Sequence, residues 1–183
     1  MKRYLQDYIF LLVLAGSIIA LDQWTKDWVR STLMISETWV PWDWLAPYAR
    51  IVNWKNTGAA FGLGQDFGKV ITVFAILVSG AIIYYFHQVP RSDWPLRVAM
   101  GMQLGGAVGN LIDRLTQGYV TDFVSVGNFP VFNVADASIS TGVAVLILGM
   151  WIKDRTQGTP EIPPDEKAQE IEAPLVREEI QGE

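Results

Sequence analysis

The chain has no cysteine and only one histidine, His87, among its 183 residues. Without cysteine it can form no disulfide, no thiolate nucleophile and no Cys-based metal site. One histidine leaves no room for a His-rich metal centre, and no Ser or Cys motif accompanies it as a catalytic partner. We therefore expect neither a metal ion nor a cofactor, and His87 is interpreted as a polar cap at a helix end.

Outside the C-terminus the chain lacks an excess of either positive or negative charge. The chain carries a net charge of −5, but residues 156–183 alone contribute −6, so residues 1–155 are close to neutral. Those last residues are rich in Pro and Glu and too poor in apolar side chains to offset the entropy of ordering. We expect a membrane domain over residues 1–155 and an acidic, disordered cytoplasmic tail over residues 156–183. The acidity of the tail argues against a nucleic-acid partner.

Long apolar runs, by contrast, are plentiful. Four stretches of 16–18 residues stand out, namely Tyr4–Leu21, Val70–Phe86, Leu96–Ile112 and Ala137–Ile152. Each is slightly short of the roughly 20 residues that cross a bilayer core, so the helices should continue through the polar residues at their ends. Soluble core helices are the alternative, but four such runs in one short chain favour transmembrane helices. A cleaved signal peptide is a second interpretation of the first run, but its apolar residues extend too far.

The number of spans and the positions of the basic residues predict the topology. Basic residues flank one side of the spans closely: Lys2, Arg3, Arg91, Arg97, Lys153 and Arg155. Positive charge next to short loops and termini marks the cytoplasmic side, so both termini should be cytoplasmic. Four spans then place the 23–68 and 113–136 segments together on the extracytoplasmic side.

Those two segments contain most of the unusual polar residues and small motifs. Asp22 and Lys26 are four residues apart on one helix and could form an ion pair. Alternatively, Asp22 binds substrate or braces a neighbouring loop. The small residues around Gly58 permit a tight turn or a bound extended peptide. Tryptophans near the β-like run 49–54 predict a small sheet at the membrane interface. Glycines at 101, 105 and 109 predict close helix packing.

Asp122 and Asp136 are the strongest candidates for chemistry. Each lies among apolar neighbours at a membrane boundary, where a charge is costly and usually functional. No Lys or Arg falls between them, so they could share a proton and activate a water molecule if the intervening loop folds back. Two separate structural aspartates remain the alternative. We expect Asp136, at the start of a helix, to hold the charge, and Asp122, in the preceding loop, to hold the proton.

Five short motifs, taken together, resemble those of bacterial lipoprotein signal peptidase, also called signal peptidase II. They occur in this order: Asp22-x-x-Thr25-Lys26, Asn56-x-Gly58-Ala59-Ala60-Phe61-Gly62, Gly105-Gly106-x-x-Gly109-Asn110-x-x-Asp113-Arg114, Val120-x-Asp122-Phe123 and Phe132-Asn133-x-Ala135-Asp136. The resemblance implies an all-α membrane protein of four transmembrane helices with a small extracytoplasmic β-rich cradle. It implies an aspartic endopeptidase of the bacterial inner membrane that removes signal peptides from diacylglyceryl-modified prolipoproteins, cutting before the lipidated cysteine.

The resemblance also implies roles for individual residues and partners. Asp122 and Asp136 match the family's catalytic pair. The positions that match its supporting or substrate-binding residues are Asp22, Asn56, Gly58, Asn110, Asp113, Arg114 and Asn133. The implied partners are lipid-modified prolipoproteins, membrane lipids and cyclic peptide antibiotics of the globomycin type. Two rival classes, a proton-coupled transporter and a structural membrane protein, fit less well, because the polar residues gather at one end of the spans.

Overall fold

A computed structural model of the chain describes residues 2–58 and 66–157. Within these residues the helices are α1 (Lys2–Thr32), α2 (Asp66–Tyr85), α3 (Trp94–Thr116) and α4 (Val134–Gln157), and the strands are β1 (Thr38–Trp39), β2 (Ala49–Asn56) and β3 (Val120–Val126). Short 3-10 turns occur at Asp43–Leu45 and Phe86–Gln88. The glycine-rich motif beyond Gly58 lies outside the described residues, and so does the acidic tail predicted for residues 156–183, except for its first two residues. The chain divides into two units, Met1–Gly149 and Met150–Glu183.

Three of the four long helices are long and apolar enough to cross a membrane. They are the segments Leu5–Thr32, Gly68–Gln88 and Val134–Arg155. The helices extend through the polar residues at the ends of the apolar runs, as predicted, so that Asp22 lies inside α1 and Asp136 inside the first turn of α4. The chain is therefore a multi-pass membrane protein.

Helix α3 departs from the sequence prediction of four equivalent spans. It is about as long as the other helices, but among the described residues it is less hydropathic than the three candidate spans. Polar side chains cause the difference, and several of them, including Arg97, Asn110 and Asp113, are buried. Helix α3 packs against both α1 and α2. Its polar groups therefore face neighbouring helices, where partners for them exist.

The glycines of α3 allow its neighbours to approach closely, as their spacing predicted. A Cβ at Gly101 would strike Leu14, and one at Gly105 would lie 2.8 Å from the Cβ of Ile18, both on α1. Gly106, the next residue along the helix, faces the Ala135 carbonyl of α4 instead. Helix α3 thus presents small residues to two helices, and this close packing fixes where the polar residues further along it can reach.

The three strands form one antiparallel sheet in the order β1-β2-β3. Strands β1 and β2 come from the α1–α2 connection, whereas β3 comes from the α3–α4 connection, so the sheet joins the two long connections at one end of the helices. In the β2–β3 register Trp54 lies opposite Asp122, next to an irregularity that begins at Ile51. Both the predicted sheet and the predicted proximity of the two connections are confirmed.

We predict that Gly106→Ala destabilises the protein. The added methyl group would overlap the Ala135 carbonyl oxygen and lie 2.7 Å from Ile139, and overpacking of this kind costs about 1–3 kcal/mol. Thermal unfolding of the purified protein in detergent should show a lower midpoint. Gly16→Ala is the matched control, because nothing lies within 4 Å of its Cβ position. Equal midpoints for the two variants would contradict tight α3–α4 packing.

Candidate functional site

Asp122 is a buried carboxylate held by two asparagine side chains. It lies in β3, and only 1 % of its surface is exposed. The amide of Asn56, from the neighbouring strand, donates to Oδ2 at 2.9 Å, and the amide of Asn133 donates to Oδ1 at 2.7 Å. The sequence prediction of a loop position for Asp122 is wrong, because the backbone here pairs with β2. Strand geometry fixes the side chain more firmly than a loop would.

Asp136 is held at the N-terminal turn of α4. The Asn110 amide donates to Asp136 Oδ1 at 2.7 Å, and the backbone N–H of Asn133 donates to Oδ2 at 3.2 Å. In return, the Asp136 backbone N–H donates to the side-chain oxygen of Asn133 at 2.9 Å. This reciprocal pairing, three residues apart, is the capping box that starts many helices. The carboxylate is therefore positioned by the same contacts that begin the helix.

Asn133 joins the two carboxylates into one cluster. Its amide nitrogen reaches Asp122, and its oxygen accepts from the backbone of Asp136. The loop between the two aspartates folds back onto β3 through a bridge between Val124 and Phe132, whose backbone groups exchange hydrogen bonds. The predicted folding back of this loop is confirmed, and it places both aspartates within reach of one side chain.

Burial raises the pKa of Asp122 to about 6, from an ordinary value of 3.8. The nearby charge of Asp136 acts in the same direction, whereas the hydrogen bonds from Asn56 and Asn133 and the charge of Lys26 oppose it. Desolvation disfavours the ionised form, and a second carboxylate close by disfavours it further. Asp122 is therefore a carboxyl group that binds a proton more readily than an exposed aspartate.

Lys26 is the central cation beneath the two carboxylates, and its side chain is completely buried. Its Nζ lies 2.8 Å from Asp22 Oδ2 and 3.3 Å from Asp113 Oδ2, and it donates to Asn110 Oδ1 at 2.9 Å. An ammonium group can only donate, so it fixes the Asn110 amide with its NH₂ group directed at Asp136. The predicted Asp22–Lys26 ion pair is confirmed, within a larger network.

Asp22 and Asp113 connect this network to the backbone of other elements. Asp22 Oδ1 accepts from the N–H of Ala135 at the start of α4, at 2.9 Å. Asp113 Oδ2 accepts from the N–H of Thr121 in β3, also at 2.9 Å. Each carboxylate thus anchors the segment that carries one of the two candidate catalytic residues. Of the two interpretations of Asp22, these contacts favour the bracing one.

Asp113 forms its ion pairs with α1 and, among the described residues, not with its neighbour Arg114. Its oxygens are directed at α1, where Arg30 lies at 3.2 Å and Lys26 at 3.3 Å. Successive residues on a helix point in different directions, and Arg114 accordingly extends away from α1. Arg114 approaches the carbonyl of Asn110 at 3.5 Å and interacts electrostatically with Asp136, with Asp122 and, less strongly, with Asp113.

Gly58 orients the asparagine that contacts Asp122. Its backbone N–H donates to Asn56 Oδ1 at 2.9 Å, which leaves the NH₂ group of Asn56 directed at Asp122. Its φ of +78° lies in the left-handed region that favours glycine. A Cβ there would also lie 3.2 Å from the Gly68 backbone. Glycine is thus required for a turn that fixes a functional side chain.

The two carboxylates face different cavities. A cavity of about 600 Å³ over the sheet is lined by Asp122, Asn56, Arg50 and Ser125, among others. A second cavity of about 290 Å³ lies between α2, α3 and α4, and Asp136 lines it together with the apolar side chains Ile71, Phe74, Ala75, Val78, Ala107 and Ile139. The lining of the larger cavity is mixed, with Trp54 and Phe129 beside its polar residues, so a ligand that contacts both carboxylates would extend from a mixed cavity into an apolar one.

The structure brings together every predicted site residue and adds others. Asp22, Asn56, Asn110, Asp113, Asp122, Asn133 and Asp136 are linked by direct hydrogen bonds or through Lys26. Lys26, Arg30 and Gln23 were not among the predicted site residues. The sequence did contain a signal for Lys26 and Arg30, because Asp22, Lys26 and Arg30 follow one another at intervals of four residues on one face of α1.

Comparison with known proteins points to one family. A family model described as signal peptidase (SPase) II matches residues 14–152. The chain is 36 % identical over 160 residues to a lipoprotein signal peptidase of Xanthomonas campestris, covering 80 % of this chain and 91 % of that one. It is 38 % identical over 146 residues to a lipoprotein signal peptidase of Shouchella clausii, covering 79 % and 95 %. A solved bacterial membrane enzyme, 27 % identical, superimposes with a TM-score of 0.72 over 82 % of this chain and 92 % of that chain.

We predict that Lys26→Met strongly destabilises the protein. It would leave Asp22 without its ion-pair partner in a fully buried site, and breaking a buried pair from one side costs about 3–5 kcal/mol. Thermal unfolding in detergent measures the effect. Lys153→Met, which removes an exposed lysine of α4, is the matched control. A Lys26→Met protein as stable as this control would contradict a structural role for the buried cation.

Proposed function

The chain belongs to the signal peptidase II family, and on this premise we propose that it is a membrane-embedded aspartic endopeptidase. Its reaction removes the signal peptide of a diacylglyceryl-modified prolipoprotein by cutting before the lipidated cysteine. The observation that carries the proposal is the asparagine-bridged pair of carboxylates, one deeply buried and one at a helix start.

The family establishes the broader class of reaction. Its members are peptidases of lipoprotein processing, and the described helices make this chain a multi-pass membrane protein. Signal peptides are apolar and mature lipoproteins continue as polar chain, so a substrate of this kind matches one cavity of mixed lining and a second, more apolar one. In the proposal the signal peptide and the lipid approach from the apolar cavity, and the cavity of mixed lining receives the chain beyond the cut.

The two aspartates divide the proton transfers between them. Ionised Asp136 accepts a proton from a water molecule, whose oxygen attacks the scissile carbonyl carbon. Protonated Asp122 donates its proton to the carbonyl oxygen, which gives a neutral tetrahedral intermediate. Asp136 then transfers its proton to the leaving nitrogen, the C–N bond breaks, and Asp122 recovers the proton from the collapsing hydroxyl. Burial of Asp122 and the helix-start position of Asp136 support this division.

The remaining site residues position this pair or bind the substrate. Asn56 and Asn133 hold Asp122 from opposite sides, and Gly58 fixes Asn56. Asn110 holds Asp136, whereas Asp22 and Asp113 brace α4 and β3. Arg114 lines both the apolar cavity and a neighbouring one, so it is suited to contact a polar group of the bound substrate. Antibiotics of the globomycin type, as cyclic lipopeptides, would occupy the same two cavities.

The proposed topology places this site outside the cytoplasm of the bacterial inner membrane, with both termini cytoplasmic. It rests on the basic residues near the termini and on the sheet that joins the two connections at one end. The proposed domain division, residues 1–155 as the peptidase and residues 156–183 as a tail, follows from composition. A reporter fused after Arg155 and one inserted at Gln117 should report opposite compartments, and a shared compartment would refute the topology.

We predict that Asp122→Asn and Asp136→Asn each reduce cleavage by about three to four orders of magnitude, because each removes half of a cooperating pair. The assay uses purified protein in detergent with a diacylglyceryl-modified prolipoprotein. Asp43→Asn, which changes an exposed carboxylate in the α1–α2 connection, should leave the rate unchanged. Substantial cleavage by either dyad variant would refute the aspartic mechanism.

We predict a bell-shaped dependence of cleavage rate on pH. In acid both carboxyls are protonated and no base remains. In alkali Asp122 also ionises and no proton donor remains, so the rate falls again. The pKa of Asp122, raised to about 6 by burial, sets the alkaline limb of kcat/KM, and substrate that excludes more water should move the limb of kcat higher. A rate that is flat from pH 4 to pH 9 would contradict a shared proton.

A further inference from the structure

A second polar cluster lies at the opposite end of the helices from the two aspartates. It consists of Asp7 in the first turns of α1, Arg91 in the α2–α3 connection and Arg97 near the start of α3. Asp7 precedes Asp22 by 15 residues on the same helix, and at 1.5 Å per residue this separates the two by about 20 Å. The cluster is therefore independent of the site described above.

Two guanidinium groups meet at a single carboxylate oxygen in this cluster. Arg91 Nε and Arg97 Nη2 each lie 2.8 Å from Asp7 Oδ1. Arg97 is buried, donates to the Val89 carbonyl at 3.0 Å and places its guanidinium 4.4 Å from the centre of the Phe86 ring. Arg97 thus serves the fold, and its plane is held rigidly by these contacts.

A cavity of about 350 Å³ opens onto the cluster. Its lining consists of Gln6, Asp7, Phe10, Arg91, Trp94, Arg97 and Val98. Two cations and one anion line it, so the lining has an excess of positive charge. The Arg91 side chain is 44 % exposed, and Trp94 is 63 % exposed. The cavity is thus lined by a fixed arginine, an accessible arginine and an exposed aromatic ring.

The position of the cavity relative to the ends of the helices indicates which class of ligand can reach it. Helix α1 begins its apolar segment at Leu5, α2 gives way to the 3-10 turn at Phe86–Gln88, and α3 begins at Trp94. The cavity therefore lies where three helices meet the membrane boundary, the level of lipid headgroups and of interfacial tryptophans. The guanidinium group of arginine can donate two parallel hydrogen bonds to phosphate oxygens, and basic pockets between helix ends bind anionic lipid headgroups.

We propose that this cavity, lined by Arg91, Arg97 and Trp94, binds the phosphate of an anionic phospholipid such as phosphatidylglycerol. Arg91, which also donates to Gln6 Oε1 at 3.2 Å, supplies a partly exposed positive charge, and Arg97 with Asp7 forms the rigid wall behind it. Trp94 lies beside the headgroup, and the acyl chains follow the outer surface of the helices. Under the proposed topology the lipid belongs to the cytoplasmic leaflet, opposite the site of cleavage.

Native mass spectrometry of the full chain, released from detergent with added lipid, tests the proposal. We expect wild type to retain phosphatidylglycerol several-fold more than phosphatidylcholine of the same acyl chains. Arg91→Gln should lose most of this preference, and Arg91→Lys, which keeps the charge, should retain part of it. Lys153→Gln is the matched control, because it removes one lysine that does not line the cavity.

The outcomes separate this site from the alternatives. Equal retention by wild type and Arg91→Gln would overturn the proposal and leave the cluster as a structural tie only. Loss of bound lipid on addition of inorganic phosphate at equal concentration would show that a free anion is the ligand, which also overturns it. Cleavage of prolipoprotein by Arg91→Gln in detergent should match wild type, so the result is independent of the proposed peptidase mechanism.

Discussion

The burial of carboxylates between the helices and the sheet is the constraint on which the rest of this structure depends. Asp22, Asp113 and Asp122 are each almost completely buried, and every one of them must accept hydrogen bonds from a donor that is also buried. The donors come from α1, β2, β3 and the start of α4, so the carboxylates can be satisfied only when these elements are together. Satisfying buried charge and assembling the fold are thus the same requirement.

Asparagine side chains hold Asp122 in place without adding a charge, which lysine or arginine could not do. A cation directly against Asp122 would favour its ionised form strongly and remove its capacity to bind a proton. The amides of Asn56 and Asn133 donate to the Asp122 carboxylate without adding charge. The ammonium of Lys26 donates to Asn110 and so acts from one residue further away. The arrangement keeps the carboxylates ordered while their ionisation remains sensitive to burial and to each other.

Periodicity and motif order predicted most of this molecule, and the failures have physical causes. Four helices, the small sheet and the return of the loop before Asn133 followed from apolar runs and β-like segments. The polar character of α3 was underestimated, because its buried polar residues pair with residues that are distant in the sequence. Asp122 was placed in a loop because a single strand that pairs with a distant one has no local signature.

Asn133 is at once the cap of α4, the donor to Asp122 and the acceptor from Asp136. Because one amide performs all three tasks, the start of α4 and the alignment of the two carboxylates are a single structural event. The two aspartates are aligned only where the helix begins at Asn133, so the order of the cluster is coupled to the order of the first turn of α4.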